Sequence, residues 1–143
     1  MTGTADNDLL TLDAQVCFAL HAASRAFDAL YRIELRDFGL TYPQYLTMMV
    51  LWEHGDLTVK QLGEHLRLDS GTLSPLVKRL ETAGLVERRR GREDERSVSV
   101  HLTPQGAALR DRAADVPHRM LESTGLSPEE LTTLHRTLQA LTR

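Results

Sequence analysis

The stretch from Thr58 to Leu102 constrains the fold more than any other part of the chain, because its hydrophobic period switches abruptly from helical to strand-like. Thr58-x-x-Gln61 is a capping box that opens a short helix to about Leu66, and Arg67-Leu68 make a turn. Asp69 is a good N-cap for a second helix running to about Thr82. Its Leu73, Leu76, Val77 and Leu80 keep the three-and-four step, and Ala83-Gly84 stops it. Pro75 costs this helix a hydrogen bond, but it lies near enough to the N-terminus to be tolerated. Leu85-Val86-Glu87-Arg88 and Ser97 to Leu102 then alternate as strands do, with the charged segment Arg89 to Arg96 between them. Two short helices joined by a tight turn, followed by a β-hairpin with a charged tip, are expected here.

Longer helices flank this unit. Leu12, Val16, Leu20, Ala23, Phe27 and Leu30 form one stripe of an amphipathic helix that Gly39 ends. Thr41-x-x-Gln44, with Pro43 in the first turn, opens a helix from about Tyr42 to Glu53. Thr103-Pro104 restarts helix to about Glu122, and Ser127-Pro128-Glu129-Glu130 opens a last one with the stripe Leu131, Leu134, Leu138 and Leu141. The order predicts a mainly α fold with a small β-hairpin: a winged helix-turn-helix with N- and C-terminal dimerisation helices. Residues 1–143 read as a single unit, with 41–102 the DNA-binding region and 12–38 and 103–143 mainly dimerisation helices. The terminal stripes are too long for one small winged domain to cover, so a two-fold homodimer is expected.

The net charge of −3 argues against a nucleic-acid binder only until its distribution is examined. Residues 70 to 92 hold six basic and two acidic side chains, a local charge of +4, which leaves −7 on the rest. A basic island on an acidic body suits a phosphate-facing surface, although a solvated charged face would look the same. Ser70, Thr72, Ser74, Lys78 and Arg79 lie on or beside the second helix of the pair, whose N-terminal part would enter a major groove. Arg88, Arg89, Arg90, Arg92 and Arg96 line the hairpin, and Asp94 could orient the Arg96 guanidinium or form a weak surface ion pair.

Leu57-Thr58-Val59 through Leu66, Leu80-Glu81-x-x-Gly84-Leu85-Val86 and Asp94-Glu95-Arg96-x-x-x-Val100-x-Leu102-Thr103 resemble the core signature of the MarR transcriptional regulators. Leu12-Asp13-x-Gln15-Val16-Cys17-Phe18-Ala19-Leu20, Leu40 to Tyr45, and Leu68-Asp69-Ser70-Gly71-Thr72-Leu73-x-Pro75-Leu76 resemble the organic-hydroperoxide-sensing branch of that family, of the one-cysteine type. The resemblance implies a repressor that binds a pseudo-palindromic operator in double-stranded DNA and releases it when Cys17 is oxidised. It also implies a minor-groove role for the hairpin tip, and thiolate support from Tyr31 and Tyr42 across the subunit boundary.

Local chemistry fits that implication. Cys17 is the single cysteine, so an internal disulfide is excluded and a low-molecular-weight thiol would have to cap its oxidised form. It lies near a helix start, where the dipole favours a thiolate, and His21 is one turn on. Tyrosine hydroxyls could donate to a sulfur anion, or Tyr31 and Tyr42 could simply pack. Two other functions stay open: a MarR-type repressor responding to a small aromatic ligand, and a thiol-dependent peroxidase. No H-E-x-x-H, glycine-rich phosphate loop or cysteine pair is present, so no catalytic residue, cofactor or metal is expected. The polar, acidic start and the lack of a long apolar run predict a cytoplasmic protein.

Overall fold

A computed structural model describes residues 10–92, 94 and 96–142. The polar start, Glu95 of the hairpin motif and the terminal Arg143 lie outside the described residues. Helix α1 spans Val16–Glu34, α2 Tyr42–His54, α3 Val59–Leu66, α4 Ser70–Thr82, α5 Pro104–Ala113, α6 Val116–Thr124 and α7 Pro128–Leu141. Strands β1 (Leu57–Thr58), β2 (Val86–Arg90) and β3 (Val98–Leu102) form an antiparallel sheet in the order β1-β3-β2. This is the mainly α, winged helix-turn-helix architecture that the sequence predicts.

The helix starts follow the cap chemistry. Thr41, Thr58 and Ser127 each accept the N3 amide while Gln44, Gln61 and Glu130 reach back to the cap amide. Asp69 and Thr103 accept the amides of Thr72 and Gly106. Several features differ from the sequence reading, among them the end of α1 at Glu34, with a separate 3-10 turn over Arg36–Phe38 before Gly39. A 3-10 turn over Leu12–Ala14 and an extended Gln15 precede α1, which therefore begins at Val16. The helix after Thr103 breaks between Ala113 and Val116, because Pro117 has no amide to continue the ladder and its ring crowds the carbonyl four residues back. Strand β2 runs on to Arg90, so Arg89 and Arg90 belong to the ladder rather than to the tip. The hairpin also gains a third strand, with Leu57 paired to Val100 and Thr58 to Ser99.

The core lies between α2, α3, α4, α5 and the sheet. Tyr45, Met48, Leu51, Leu62, Leu73, Val77, Leu80, Val86 and Val100 are almost wholly buried, and Leu35, Val116 and Met120 extend the core towards α1 and α6. Helices α1 and α7 contribute no buried residue, and Val16 (70% exposed), Phe18, Phe27, Leu134 and Leu141 (64%) stand open to solvent. On α1 the exposed Val16, Leu20 and Phe27 recur at the helical step and so share one face.

The start of α5 is joined to the start of β2 by backbone approach. The Thr103 hydroxyl donates to the Gly84 carbonyl at 2.6 Å and its amide to the Leu85 carbonyl at 3.1 Å. Gly106 lies against that same Leu85 carbonyl, where a Cβ would collide with it, and the Trp52 indole donates to the Gly106 carbonyl at 2.9 Å. Gly106→Ala should therefore lower the unfolding free energy by about 1–3 kcal/mol, through overpacking against an immovable main chain. Denaturant unfolding of the two proteins measures it; an unchanged midpoint would contradict the close approach.

Candidate nucleic-acid interface and thiol site

Helix α4 turns Leu73, Leu76, Val77 and Leu80 into the core, which leaves Ser70, Thr72, Ser74, Lys78 and Arg79 outward. The Asp69 carboxyl that caps it is held below its ordinary pKa, chiefly by the Thr72 amide and also by the Thr72 side chain. Thr72 is thus partly committed to the cap. Ser70 and Ser74 line an open groove whose other walls are Lys60, Gln61, Glu64 and Arg67 of the preceding helix and turn and Arg88, Asp94 and Arg96 of the hairpin. Lys78 is exposed one turn beyond Ser74, while Thr72 and Arg79, seven residues apart, share a neighbouring face. Lys60 and Arg67 escaped the sequence reading because they precede the basic island. Lys60 is a polar position of that short helix and Arg67 the turn residue that closes it.

The groove depends on a sharp helix-turn-helix corner. Arg67 closes α3 in the left-handed region at φ 57°, and the Leu68 amide returns to the Gly63 carbonyl at 3.0 Å. A Cβ on Gly63 would stand 2.6 Å from the Leu68 carbonyl oxygen, so the corner closes only over glycine.

The hairpin arginines are not equivalent. Arg88 is bound to Glu81: its amide donates to Oε2 at 2.8 Å, and its Nε and Nη2 lie 3.1 and 3.0 Å from Oε1. Glu81 is accordingly held below its usual pKa, first by the Arg88 amide and then by the Arg88 side chain. Arg89 pairs at 3.2 Å with Glu87, both well exposed, a contact of little energetic weight. Arg90, Arg92 and Arg96 are exposed. Asp94 does not clamp the Arg96 guanidinium as the sequence suggested. Its Oδ1 accepts the Arg96 backbone amide at 3.0 Å and its carbonyl accepts the Ser97 amide at 3.0 Å. A short carboxylate two residues upstream reaches the backbone more readily than a long side chain, so Asp94 shapes the turn.

A further network braces the other side of the sheet. His101 Nδ1 lies 2.8 Å from Asp56 Oδ2 and its Nε2 lies 2.8 Å from Ser99 Oγ, which donates to the Arg89 carbonyl at 3.2 Å. Neither Asp56 nor His101 stood out in the sequence, because they are brought together only by the β1–β3 pairing.

The thiol belongs to a different part of the chain. Cys17 is exposed at the second position of α1, ahead of the first intrahelical bond, from the Ala19 amide to the Gln15 carbonyl. His21, one turn on, is likewise exposed. Tyr31 packs on Tyr42 with ring centroids 4.3 Å apart and planes tilted by 35°, and reaches Tyr45 at 6.0 Å, and Tyr45 meets Trp52 edge-on. Tyr45 was missed because a buried aromatic in a helix carries no signal distinguishing it from filler. Fourteen residues of helix separate Cys17 from Tyr31, a rise of about 21 Å, so the tyrosines of one chain cannot bond its own sulfur.

Burial pushes the Tyr31 phenol up from 10.0 to about 12, helped by Tyr42 and Tyr45, and burial raises Tyr42 and Tyr45 as well. All three therefore remain hydrogen-bond donors well above neutral pH. A raised folded-state value means that the stabilising contribution of Tyr31 is complete below pH 10.0 and disappears as pH rises through about 12. Tyrosinate absorbance during alkaline titration should lag behind that of free tyrosine, with the last step absent from Tyr31→Phe. Ionisation of all three near the free value would refute the cluster.

The family model that describes the MarR family matches residues 40–98. The chain is 47% identical, over 94% of its length and 91% of the relative's, to the organic hydroperoxide resistance transcriptional regulator of Bacillus subtilis. Among solved structures it resembles AbfR of Staphylococcus epidermidis. The reduced, DNA-bound form superimposes with a TM-score of 0.79 at 32% identity, covering 97% of each chain. The overoxidised, DNA-bound form gives 0.75 at 34% identity, covering 96% of this chain and 97% of AbfR.

Proposed function

The chain belongs to the MarR family, and from that premise we propose that it is a homodimeric repressor that releases its operator when an organic hydroperoxide oxidises Cys17. It is a DNA-binding transcriptional regulator and not an enzyme. The observation that carries the sensing role is the exposure of its single cysteine at the open end of α1, in a chain 47% identical to a hydroperoxide resistance regulator. No helix among the described residues is long and apolar enough to cross a membrane, and the working compartment we propose is the cytoplasm.

In this reading residues 41–102 bind DNA and 12–38 and 103–143 mainly dimerise, in one unit over 1–143. The uncovered faces of α1 and α7 support that division, while Leu109 and Ala113 anchor α5 in the winged core. Ser70, Ser74 and Thr72 face bases and phosphates, Lys78 and Arg79 hold phosphates, and Arg90, Arg92 and Arg96 reach the next groove. Asp94 supports the last of these through the turn that it shapes.

The switch is an oxidation followed by a condensation. The Cys17 thiol attacks the hydroperoxide, the O–O bond breaks, and sulfenic acid and an alcohol form. A small thiol then condenses with the sulfenic acid, forming a mixed disulfide and releasing water. Because about 21 Å of helix rise separates Cys17 from Tyr31, on which Tyr42 packs, a phenol reaching the sulfur belongs to the partner subunit. Enlarging the sulfur there changes the fit between two chains, and through it the spacing of the two α4 helices.

Cys17→Ser should bind DNA as the wild type does yet lose release by hydroperoxide, since serine neither ionises near neutral pH nor climbs the oxidation ladder. Tyr31→Phe and Tyr42→Phe should show graded versions of that loss. Operator release with hydroperoxide and a small thiol supplied is the measurement, and full release from Cys17→Ser would eliminate the sensor. Lys78→Ala and Arg96→Ala should weaken binding with the fold intact. For Lys78→Ala the salt dependence should also flatten, by about one unit of slope for each phosphate that the side chain no longer neutralises. Unchanged affinity and slope in both would remove the basic island from the interface.

A further inference from the structure

Glu81 is one of two acidic residues in the basic island between 70 and 92, and on charge alone it should oppose a polyanion. Its geometry says otherwise. Glu81 lies in the last turn of α4 and Arg88 in the middle of β2, opposite Val100 of β3. Val86 and Arg88 share a face of β2, and that face leaves the core between them: Val86 is 2% exposed, whereas the Arg88 side chain is 36% exposed. Beyond this point β2 has no buried residue. Backwards from it, the chain returns to α4 through Ala83 and Gly84, the latter at φ 81°, a tight corner that leaves the exposed part of the hairpin to be aimed by contacts further along β2. Both carboxylate oxygens of Glu81 are spent on Arg88, one on its amide and one on its guanidinium.

We propose that Glu81 and Arg88 are a positioning pair for DNA binding, which fixes the angle between the recognition helix α4 and the hairpin wing so that both grooves are reached together. The inference rests on the DNA-binding reading and refines it: Arg88 acts through Glu81 and not as a phosphate clamp. A carboxylate that holds two guanidinium nitrogens on one oxygen and the main-chain amide on the other carries directional information that a lysine or a neutral amide cannot reproduce. The low position of the Glu81 carboxyl keeps the pair charged throughout the neutral range.

Charge and geometry predict opposite signs, which makes the test sharp. Glu81→Gln removes a negative charge beside DNA and Arg88→Lys keeps the positive one, so on charge alone the first binds more tightly and the second equally well. The positioning pair requires both full-length variants to bind about three- to tenfold more weakly, with the slope of affinity against salt unchanged. The double variant should be no weaker than the worse single one. The probe is a duplex enriched by the wild-type protein from a random-sequence pool. Circular dichroism and sedimentation are run alongside, so that a loss of fold or assembly is not taken for a loss of positioning. Arg88→Lys guards against a Glu81→Gln that fails to fold, because it leaves the carboxylate in place. A Glu81→Gln that binds as tightly as wild type or more so, or an Arg88→Lys with wild-type affinity, would overturn the pair and leave the DNA-binding reading standing. A wild type that enriches no duplex would overturn both.

Discussion

Where α5 meets the start of β2, one backbone lies so close to another that only glycine fits, and the hydrogen bonds there tie three elements to one point. Thr103 bonds the carbonyls of Gly84 and Leu85, Gly106 lies on the latter, and Trp52 of α2 bonds the carbonyl of Gly106. The wing is held on the body through this joint, through the pairing of β1 with β3 and through the apolar contacts of Val86 and Val100 behind it. Beyond it, Arg88, Arg89, Arg90, Arg92, Asp94 and Arg96 are exposed, so the direction of this part is set by polar contacts. That is why Glu81–Arg88 on one side and Asp56–His101–Ser99 on the other carry geometric weight out of proportion to their energy.

The same division explains how an acidic protein presents a basic surface. Of the hairpin arginines, Arg88 and Arg89 are engaged by Glu81 and Glu87, while Arg90, Arg92 and Arg96 are exposed beyond them. Lys60 and Arg67 add to the groove from the other side. Paired arginines shape the surface and exposed ones supply its field, so a count of basic residues overstates the second role and hides the first.

The thiol and the tyrosines stand apart in a single chain, and their separation is itself informative. An α-helix is a rigid spacer over this distance, so Cys17 and Tyr31 meet only if two chains run past each other. The exposed apolar face of α1 provides a surface for such an encounter, and α7 adds a second one at the other end of the chain. On the proposed function, sensing and assembly would use the same surface, giving a small change at sulfur a direct mechanical route to the DNA-binding helices.

Local chemistry was legible in the residues themselves. Caps such as Thr41 with Gln44 and Ser127 with Glu130 act within one turn, so they are written in adjacent letters and appear where the sequence puts them. The apolar step of α4 and the alternation of β3 are equally local. Pro117 was legible in principle, since a proline inside a helix removes a ladder hydrogen bond, although Pro75 does so within α4 without ending it. By contrast, β1 is two residues long and exists only because β3, some forty residues away, offers it a partner. The bonds of Arg88 to Glu81 and His101 to Asp56, the turn role of Asp94 and the packing of Tyr31 on Tyr42 are likewise set by which surfaces the fold brings together. The sequence by itself determined the elements and the location of reactive and basic side chains, because those follow from interactions within a few residues. Which of those charges are spent internally, and which face outward, only the tertiary structure decided, because a side chain bonds whatever group the packed backbone brings within about 3 Å of it.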